Sequence, residues 1–379
     1  MKEQNRIILS IGSNQGNRKQ WIQECVEVIH QKMATVVGVS RIYESPAWGF
    51  ESEPFLNCVI LVHTVKPATK ILRLIHKIEQ ELGRVRLDKS GYQARTIDID
   101  IISFNNEVIS SPELTIPHAQ MQNRLFVLKP MLDLKVSFEH PILRQNLQEL
   151  IENCPDQSDC LAVDELEHPL ARIRVNNYNF IAIEGNIGAG KTTLAHKIAD
   201  DFNAKMVLER FADNPFLPKF YKDQARYAFP LEMSFLADRY QQISDDLAQL
   251  DLFKDFIVAD YHIFKSLIFA KVTVTEDEFR LYRKLFEIIY KEIPKPDLYI
   301  YLYQNTNRLL QNIKKRGRSY EQEIPADYLE KINKGYFDFI KTHPELNILV
   351  LDVSDLDFVK NQVDYIYILE QISVALPKS

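Results

Sequence analysis

The chain has 379 residues, a formal net charge of −6, and 46% hydrophobic and 26% charged side chains, the composition of a folded globular protein. Its length exceeds what one ordinary hydrophobic core organises, so two domains are predicted. The acidic net charge gives no overall attraction to nucleic acid or to an anionic membrane, and neither is expected as a partner. Any phosphate binding must therefore depend on local basic clusters.

The chain has four cysteines, Cys25, Cys58, Cys154 and Cys160. They show neither CxxC pairing nor the spacing of metal ligands, and we interpret them as reduced thiols. The polar start of the chain runs directly into a strand pattern and does not resemble a signal peptide or an anchor. No apolar stretch reaches the length of a membrane span. The sequence therefore predicts a cytoplasmic protein.

The first region of the chain alternates strand and helix patterns. In chain order it predicts a strand over 6–12, a helix over 21–33, strands over 36–43 and 55–64, a helix over 67–82 and a strand over 96–104. Asn105 and Asn106 are typical of a hairpin turn after the last strand. The order β-α-β-β-α-β is that of an α+β, ferredoxin-like domain.

The second region predicts a different architecture. Residues 156–177 are charged and lack sustained periodicity, so we interpret them as a linker between domains over 1–155 and 178–379. Buried strands are predicted over 179–185, 205–209, 255–260, 297–303 and 347–353, separated by helical stretches. This alternation is typical of an α/β domain with a parallel sheet covered by helices on both faces.

A phosphate-binding loop opens the second region. The segment from Gly185 to Thr192 reads GNIGAGKT and matches GxxxxGK[ST] between a predicted strand and a predicted helix. Glycines let backbone N–H groups surround phosphate, Lys191 adds a charge for the β- and γ-phosphates, and the Thr192 hydroxyl can bind Mg²⁺. The strand and helix context favours this ATP site over a structural glycine-rich turn. Its predicted residues are Gly185, Asn186, Ile187, Gly188, Ala189, Gly190, Lys191, Thr192 and Thr193.

Four later segments narrow the class of P-loop protein. They are 207–221, 227–240, 258–262 and 314–330. With the P-loop, they make the second region resemble the deoxynucleoside kinases, and the bacterial deoxyguanosine and deoxyadenosine kinases most of all. The resemblance implies a P-loop kinase fold, phosphate transfer from ATP to a nucleoside 5′-hydroxyl with Mg²⁺, and a homodimer formed through this domain.

The resemblance also implies residue roles. Glu209 would take the proton from the 5′-hydroxyl. Tyr221 and Glu321 would bind the sugar 3′-hydroxyl, and Arg316 and Arg318 would clamp the phosphates from a mobile lid. Outside this context each of them reads as an ordinary surface residue.

Glu232 matches the position that faces the edge of the base. A carboxylate only accepts hydrogen bonds, and guanine offers two adjacent donors, N1–H and N2–H₂. Deoxyguanosine is therefore predicted as the substrate, with deoxyadenosine or broad specificity as the alternatives. Arg239, seven residues further on, shares that helix face and is predicted to support Glu232 or the base.

The chain departs from the family pattern at one triplet. Many relatives have an acidic residue, Arg and Ser where this chain has Asp260, Tyr261 and His262. Asp260 still supplies a carboxylate on the Mg²⁺ side, but the arginine is absent. His262 is predicted to be a packed core residue.

In the first region, Asp98 and Asp100 stand two apart on a predicted strand, so their carboxylates project from the same face. Two like charges this close need a counter-ion, commonly a divalent metal. Arg84, Arg86 and Arg95 come from the segment just upstream. Together they predict a metal-and-arginine site for a polyphosphate. An edge strand with outward-facing charges is the alternative.

Separate fragments over 12–14, 44–49, 55–57, 83–86, 95–100 and 116–130 resemble hydroxymethyldihydropterin pyrophosphokinase. The resemblance implies transfer of the β,γ-diphosphate of ATP to a pterin hydroxymethyl group, with release of AMP. It places Mg²⁺ on the two aspartates and phosphates on the three arginines. The implied ATP contacts are His118 and Arg124. The implied pterin contacts are Phe55 and Phe126, which would stack on the ring, Asn57, and the pocket-closing residues Ser45, Pro46 and Trp48.

One alternative from another class stays open for each region. The first can be a ferredoxin-like RNA-binding module, although the chain is acidic and no strand has closely spaced aromatic residues for base stacking. The second can be an inactive or regulatory nucleotide-binding domain, so that only one domain is active. Lys191 and Glu209 argue against that.

Overall fold

A computed structural model of the protein describes residues 4–47, 52–84, 95–210, 214–248 and 253–375. The chain divides into two compact units, Met1–Arg174 with Val359–Tyr367, and Val175–Phe358 with Ile368–Ser379. Across the described ranges, no helix has the length and apolarity needed to cross a membrane.

The first unit is built on a mostly antiparallel α+β pattern. Its elements are β1 (Asn5–Ser13), α1 (Arg18–Lys32), β2 (Thr35–Val39), β3 (Ile42–Ser45), β4 (Phe55–Thr64), α2 (Ala68–Glu81), β5 (Asp98–Phe104), β6 (Ile109–Ser110), β7 (Thr115–Ile116), α3 (Leu125–Asp133), α4 (Leu147–Glu152) and β8 (Leu161–Asp164). The sheet has the order β5-β1-β4-β3-β8, and β2 also pairs with β4. The predicted β-α-β-β-α-β arrangement is therefore confirmed.

Two local predictions in this sheet were wrong. The strand predicted over 36–43 is interrupted, and β2 and β3 pair with successive parts of β4. Ser40 fills the break, because its backbone N–H donates to Val59 O at 3.0 Å and its hydroxyl accepts from the Val59 N–H at 2.9 Å. The turn at Asn105 forms, with φ of 49°. It leads to β6, which pairs with β7 and not with β5.

Helices cover both faces of this sheet. Ile7, Leu9 and Ile11 of β1 belong to the core cluster that includes the buried residues of α1 and α2. The opposite face carries Ile8, and it packs against α3 and α4. Because residues alternate between the two faces along a strand, Ser10 and Gly12 continue the face that carries Ile8.

The segment over 156–177, predicted as a linker, contains the strand β8. It pairs with β3, and all four of its residues are exposed. The pairing uses only backbone groups and buries no side chains. The strand therefore leaves no apolar alternation in the sequence.

The second unit is an α/β domain. The remaining elements are β9 (Phe180–Gly185), α5 (Lys191–Asp201), β10 (Lys205–Val207), α6 (Leu217–Phe220), α7 (Gln224–Ala248), β11 (Ile257–Ala259), α8 (Phe264–Thr273), α9 (Glu276–Tyr290), β12 (Leu298–Tyr303), α10 (Thr306–Arg316), α11 (Ala326–Thr342), β13 (Ile348–Asp352) and α12 (Gln362–Val374). The five strands are parallel, in the order β10-β11-β9-β12-β13. All five predicted strands and the parallel sheet are confirmed.

The parallel sheet brings its functional segments together. The P-loop follows β9, Glu209 follows β10 and Asp260 follows β11, which are three adjacent strands. In a parallel sheet, the segments after the strands meet at the same edge, where ligands bind.

Candidate active sites

The P-loop is held in a shape that requires glycine. Gly185, Gly188 and Gly190 have φ of 150°, 83° and 93°. A Cβ at Gly185 would lie 2.7 Å from Leu302 O, and one at Gly190 would lie 2.8 Å from the Phe358 ring. Two N–H groups of the loop, those of Ile187 and Ala189, donate to Asn186. The loop leads into the N-terminus of α5, and helix N-termini are common binding sites for anions.

The next two strands are tied to this loop through Asp260. The Thr192 hydroxyl donates to Asp260 Oδ2 at 2.5 Å. The Glu209 backbone N–H donates to Asp260 Oδ1 at 2.8 Å. Lys191 Nζ donates to Asn186 O at 3.0 Å. A hydroxyl and a carboxylate side by side next to a phosphate loop are oxygen ligands that fit Mg²⁺.

Glu209 is held by two cations. Arg239 Nε and Nη2 donate to its Oε1 at 2.9 and 2.7 Å, and Lys265 Nζ donates to its Oε2 at 2.5 Å. Burial would raise the pKa of the Glu209 carboxyl, but the charges of Lys265 and Arg239 outweigh burial and hold the pKa far below its usual value. Glu209 is therefore ionised throughout the physiological range.

Arg239 has contacts that were not predicted. Its guanidinium binds Glu209 and donates to the Ser266 hydroxyl at 2.7 Å, while its charge also acts on Glu232. The spacing of residues in the sequence shows which side chains share a face of α7, but it does not show which loop or helix packs against that face.

Lys265 was not predicted at all. The only available signal was a lysine in the first turn of the helix after Asp260.

Glu232 is buried with one free acceptor atom. The residue is 2% exposed, so it is not a glutamate on the surface of its helix. Oε1 accepts from the Thr273 hydroxyl at 3.2 Å, and Oε2 has no hydrogen-bond partner among the described residues. Burial raises the pKa of this carboxyl to about 7, against the opposing charge of Arg239 and the Thr273 hydrogen bond.

The predicted lid residues gather around Glu321. Arg316 Nη2 binds Glu321 Oε2, and Arg318 Nη1 donates to Glu321 Oε1 at 3.2 Å. The Tyr221 ring stacks on Tyr320, with centroids 6.2 Å apart. Burial, followed by the charge of Glu321, raises the pKa of Tyr221, so its hydroxyl stays protonated.

His262 is a core residue, as predicted. It is fully buried, and its Nδ1 lies 3.2 Å from the Tyr299 hydroxyl. Burial lowers its pKa to about 3.

A cavity in the first unit collects most of the residues predicted there. It is lined by Ser10, Gly12, Ser45, Pro46, Phe55, Asn57, Arg84, Arg95, Asp98, Asp100, His118, Arg124 and Phe126. Ser10 and Gly12 were not predicted as site residues. Arg86 and Trp48 lie outside the described residues.

The two aspartates face this cavity with arginines around them. Asp98 Oδ1 and Oδ2 lie 2.7 and 2.8 Å from Arg84 Nη1 and Arg95 Nη1. Arg124 Nη1 donates to Asp100 Oδ2 at 3.4 Å. Burial and then the Asp98 charge raise the pKa of Asp100 to about 6, against Arg124 and Arg95. β5 is an edge strand of the sheet, but its carboxylates line the cavity, which excludes the outward-facing alternative.

This carboxylate pair fits a hard divalent cation. Mg²⁺ is commonly bound by one or two carboxylates with the remaining positions taken by phosphate oxygens and water. Glu79, which was not predicted, accepts from the Ile99 N–H at 3.1 Å and binds Arg84. No pattern in the sequence indicated that this glutamate on α2 would bind Arg84.

One part of the cavity is lined by the polar side chains of Ser45 and Asn57 and by the Phe55 ring. Asn57 Nδ2 donates to the Ser45 hydroxyl at 2.9 Å. A Cβ at Gly12 would lie 2.9 Å from Asn57 Oδ1 and 3.6 Å from the Phe55 ring, so glycine keeps this part of the cavity open.

His118 also lines the cavity. Burial and then the Arg124 charge lower the pKa of His118 to about 4, and the ring is neutral at pH 7.

The folds and sites define two classes of phosphotransferase on one chain: a P-loop kinase, and an α+β enzyme with a carboxylate-and-arginine cavity. The deoxynucleoside kinase family model matches residues 181–376, and the 7,8-dihydro-6-hydroxymethylpterin-pyrophosphokinase model matches residues 8–136. The chain therefore belongs to both families, to the first through its C-terminal half and to the second through its N-terminal part.

Individual relatives agree with both assignments. The chain is 40% identical to the deoxyguanosine kinase of Bacillus subtilis over 50% of this chain and 94% of that protein. It is 39% identical to the 2-amino-4-hydroxy-6-hydroxymethyldihydropteridine pyrophosphokinase of Porphyromonas gingivalis over 34% of this chain and 88% of that protein. A solved structure of deoxyadenosine kinase from M. mycoides with bound dATP aligns at 30% identity and a TM-score of 0.44, covering 50% of this chain and 97% of that chain.

Proposed function

We propose that the second domain phosphorylates the 5′-hydroxyl of a purine deoxynucleoside with ATP. The observation that carries this proposal is Glu209, a buried and ionised carboxylate beside the P-loop. The hydroxyl oxygen attacks the γ-phosphorus, the bond from that phosphorus to the β,γ-bridging oxygen breaks and ADP leaves, and Glu209 takes the hydroxyl proton. Thr192 and Asp260 would hold Mg²⁺, which supplies positive charge for the phosphate oxygens. Lys191 contacts the β- and γ-phosphates.

Four further residues complete this site in the proposal. Tyr221 and Glu321 bind the sugar 3′-hydroxyl. Arg316 and Arg318 reach the phosphates when the lid closes. In the structure both arginines pair with Glu321. This supports a lid in which the same two guanidinium groups bind the Glu321 carboxylate when the lid is open and the phosphates of ATP when it closes.

For the base, we propose deoxyguanosine, recognised by Glu232. Its buried Oε2 has no partner among the described residues, and the guanine edge supplies the missing donors. The test is kcat/KM for the four deoxynucleosides. Deoxyguanosine is expected to be preferred. Deoxyadenosine or broad use would assign Glu232 another role, and a preference for deoxycytidine or thymidine would contradict purine recognition.

We propose that the first domain transfers the β,γ-diphosphate of ATP to 6-hydroxymethyl-7,8-dihydropterin, a step of folate biosynthesis. The pterin hydroxymethyl oxygen bonds to the β-phosphorus, and AMP leaves. Asp98 and Asp100 would hold Mg²⁺, which supplies charge between the diphosphate and the acceptor. The phosphate-contacting residues are Arg84, Arg86 and Arg95, with His118 and Arg124 on ATP.

The acceptor end of that cavity supports a pterin. Phe55 and Phe126 line this cavity, and in the proposal their rings stack on the flat pterin ring. Asn57 offers an amide donor and acceptor for the ring edge. Ser45 and Pro46 line the same end, and Trp48 is assigned to the closing loop on family resemblance alone.

One conservative variant tests each activity. Glu209→Gln keeps the size of the side chain and removes its basicity, and we expect it to lower ADP formation with deoxyguanosine at least about 100-fold. Asp98→Asn should lower AMP formation with the pterin by a similar factor. A domain with no activity in the unmodified protein would be a nucleotide-binding or regulatory module instead.

We also propose a homodimer formed through the kinase domain. Leu281 and Ile288 are seven residues apart on α9 and are 51% and 66% exposed, so they share one apolar helix face. Light scattering on Leu281→Glu and Ile288→Glu should report a monomer where the unmodified protein is a dimer. The four free cysteines support a reducing, cytoplasmic location.

A further inference from the structure

The segment after β11 leaves the phosphate end of the kinase site without the expected cation. Asp260 is followed by Tyr261 and His262, both fully buried. The Tyr261 hydroxyl donates to Gln242 Oε1 at 3.2 Å. The His262 ring packs in the core, with its Nδ1 3.2 Å from the Tyr299 hydroxyl. Neither residue offers positive charge to a phosphate.

Lys265 brings a cation to this place from another direction. It lies in the first turn of α8, its side chain is 11% exposed, and its Nζ donates to Glu209 Oε2 at 2.5 Å. Glu209 is joined to the P-loop through Asp260, which accepts from the Glu209 backbone N–H at 2.8 Å and from the Thr192 hydroxyl at 2.5 Å.

Two cations, Arg239 and Lys265, converge on the Glu209 carboxylate next to this loop. Arg239 already donates two hydrogen bonds to Glu209 Oε1, so the carboxylate keeps a charged partner when Lys265 leaves it. Lys265 is therefore free to exchange one anion for another.

We propose that Lys265 is a catalytic residue of the kinase site, which moves from Glu209 Oε2 to the transferring phosphoryl group of ATP. This proposal rests on the kinase function proposed above. In the reaction, a bond forms between the 5′-oxygen and the γ-phosphorus, and the bond from that phosphorus to the β,γ-bridging oxygen breaks with its electron pair leaving on ADP. The hydroxyl proton passes to Glu209, whose Oε2 the departing lysine has freed. Lys265 transfers no proton and stabilises charge on the phosphoryl oxygens.

Replacing the ammonium tests the catalytic part. Lys265→Met should lower kcat with deoxyguanosine about 100-fold, the usual cost of removing one transition-state donor, while KM for deoxyguanosine changes less than about threefold. Lys265→Arg should recover at least about tenfold of that loss. Lys271→Met removes an exposed lysine from the same helix and should behave as the unmodified protein.

The affinities for ATP and ADP, measured without nucleoside, show whether Lys265 contacts phosphate or only positions Glu209. In the full chain, titrations of ATP and ADP are compared, with Lys191→Ala giving the baseline of the other domain. Lys265→Met should weaken ATP binding at least about tenfold and ADP binding less than about twofold. Unchanged ATP affinity would overturn the proposal and leave Lys265 as a residue that only positions Glu209.

Two precautions keep these outcomes distinct. Lys265→Gln, which keeps a hydrogen bond to Glu209 without the charge, is measured alongside in case the methionine variant fails to fold, and it should show the same selective loss of ATP affinity. If the unmodified protein phosphorylates no deoxynucleoside, the proposed kinase function fails. The comparison of ATP with ADP still decides whether Lys265 contacts the γ-phosphate.

Discussion

The Glu232 side chain is buried. Its Oε1 accepts a hydrogen bond from the Thr273 hydroxyl, and its Oε2 has no partner in the described part of the chain. Its pKa of about 7 places its titration in the range of ordinary assays. Above that pH the carboxylate presents two acceptors, which match guanine. Below it, the protonated group presents one donor and one acceptor, the pattern that adenine needs.

Base selectivity should therefore depend on pH. We expect the ratio of kcat/KM for deoxyguanosine to that for deoxyadenosine to fall at least about tenfold between pH 8.5 and pH 5.5, with a midpoint near the pKa of Glu232. Glu232→Gln should give a low ratio at every pH, because an amide does not titrate. A constant ratio in the unmodified protein would show that Glu232 does not choose the base.

Arg239 binds Glu209 through two nitrogens on one side of its guanidinium, a geometry that lysine does not reproduce. Arg239→Lys should lower kcat for the nucleoside about 10- to 100-fold, with little effect on ATP affinity. Arg226→Lys, an exposed arginine on the same helix, is the control. Steady-state kinetics with direct ATP binding checks both, and an unchanged kcat would mean that Glu209 needs no bidentate partner.

At the residue scale, the sequence predicted Glu209 and Arg239 as site residues but did not predict that they bind each other. It did not predict Lys265. Glu209 follows a strand pattern beside the P-loop, so local order is enough to locate it. Arg239 lies 30 positions away and Lys265 lies 56 positions away. Their side chains meet only because α7 and α8 pack beside the end of β10, and no local pattern encodes that packing.

Among the elements, the P-loop has the most demanding backbone. Gly190→Ala should destabilise the protein, because its φ of 93° is left-handed and its new Cβ would lie 2.8 Å from Phe358. Gly317 has a similar φ of 77°, and a Cβ there would have no neighbour within 4 Å among the described residues. Gly317→Ala should therefore cost only the backbone strain, about 1–2 kcal/mol. Calorimetric unfolding checks the difference, and equal losses would mean that the contact with Phe358 is relieved by small shifts.

Elements with buried faces were predictable, and elements held by backbone pairing alone were not. All five strands of the parallel sheet were predicted because each is a short apolar run. β8 was missed because all four of its residues are exposed. The strand over 36–43 was predicted as continuous, since the break at Ser40 is compensated by hydrogen bonds that leave the apolar pattern intact.

On the scale of the whole molecule, two families share one chain. Each unit has its own sheet and its own core. Each also has its own set of charged residues that we propose bind phosphate. Neither proposed product is the substrate of the other reaction. The two units therefore predict two catalytic sites, one in each unit, that do not depend on each other.

Paired assays on two alanine variants test this claim most directly. AMP release with 6-hydroxymethyl-7,8-dihydropterin and ADP release with deoxyguanosine are measured on the unmodified protein, on Asp98→Ala and on Lys191→Ala. We expect Asp98→Ala to abolish only AMP release and Lys191→Ala to abolish only ADP release. Loss of both activities from either change, in a protein that remains folded, would contradict two independent sites.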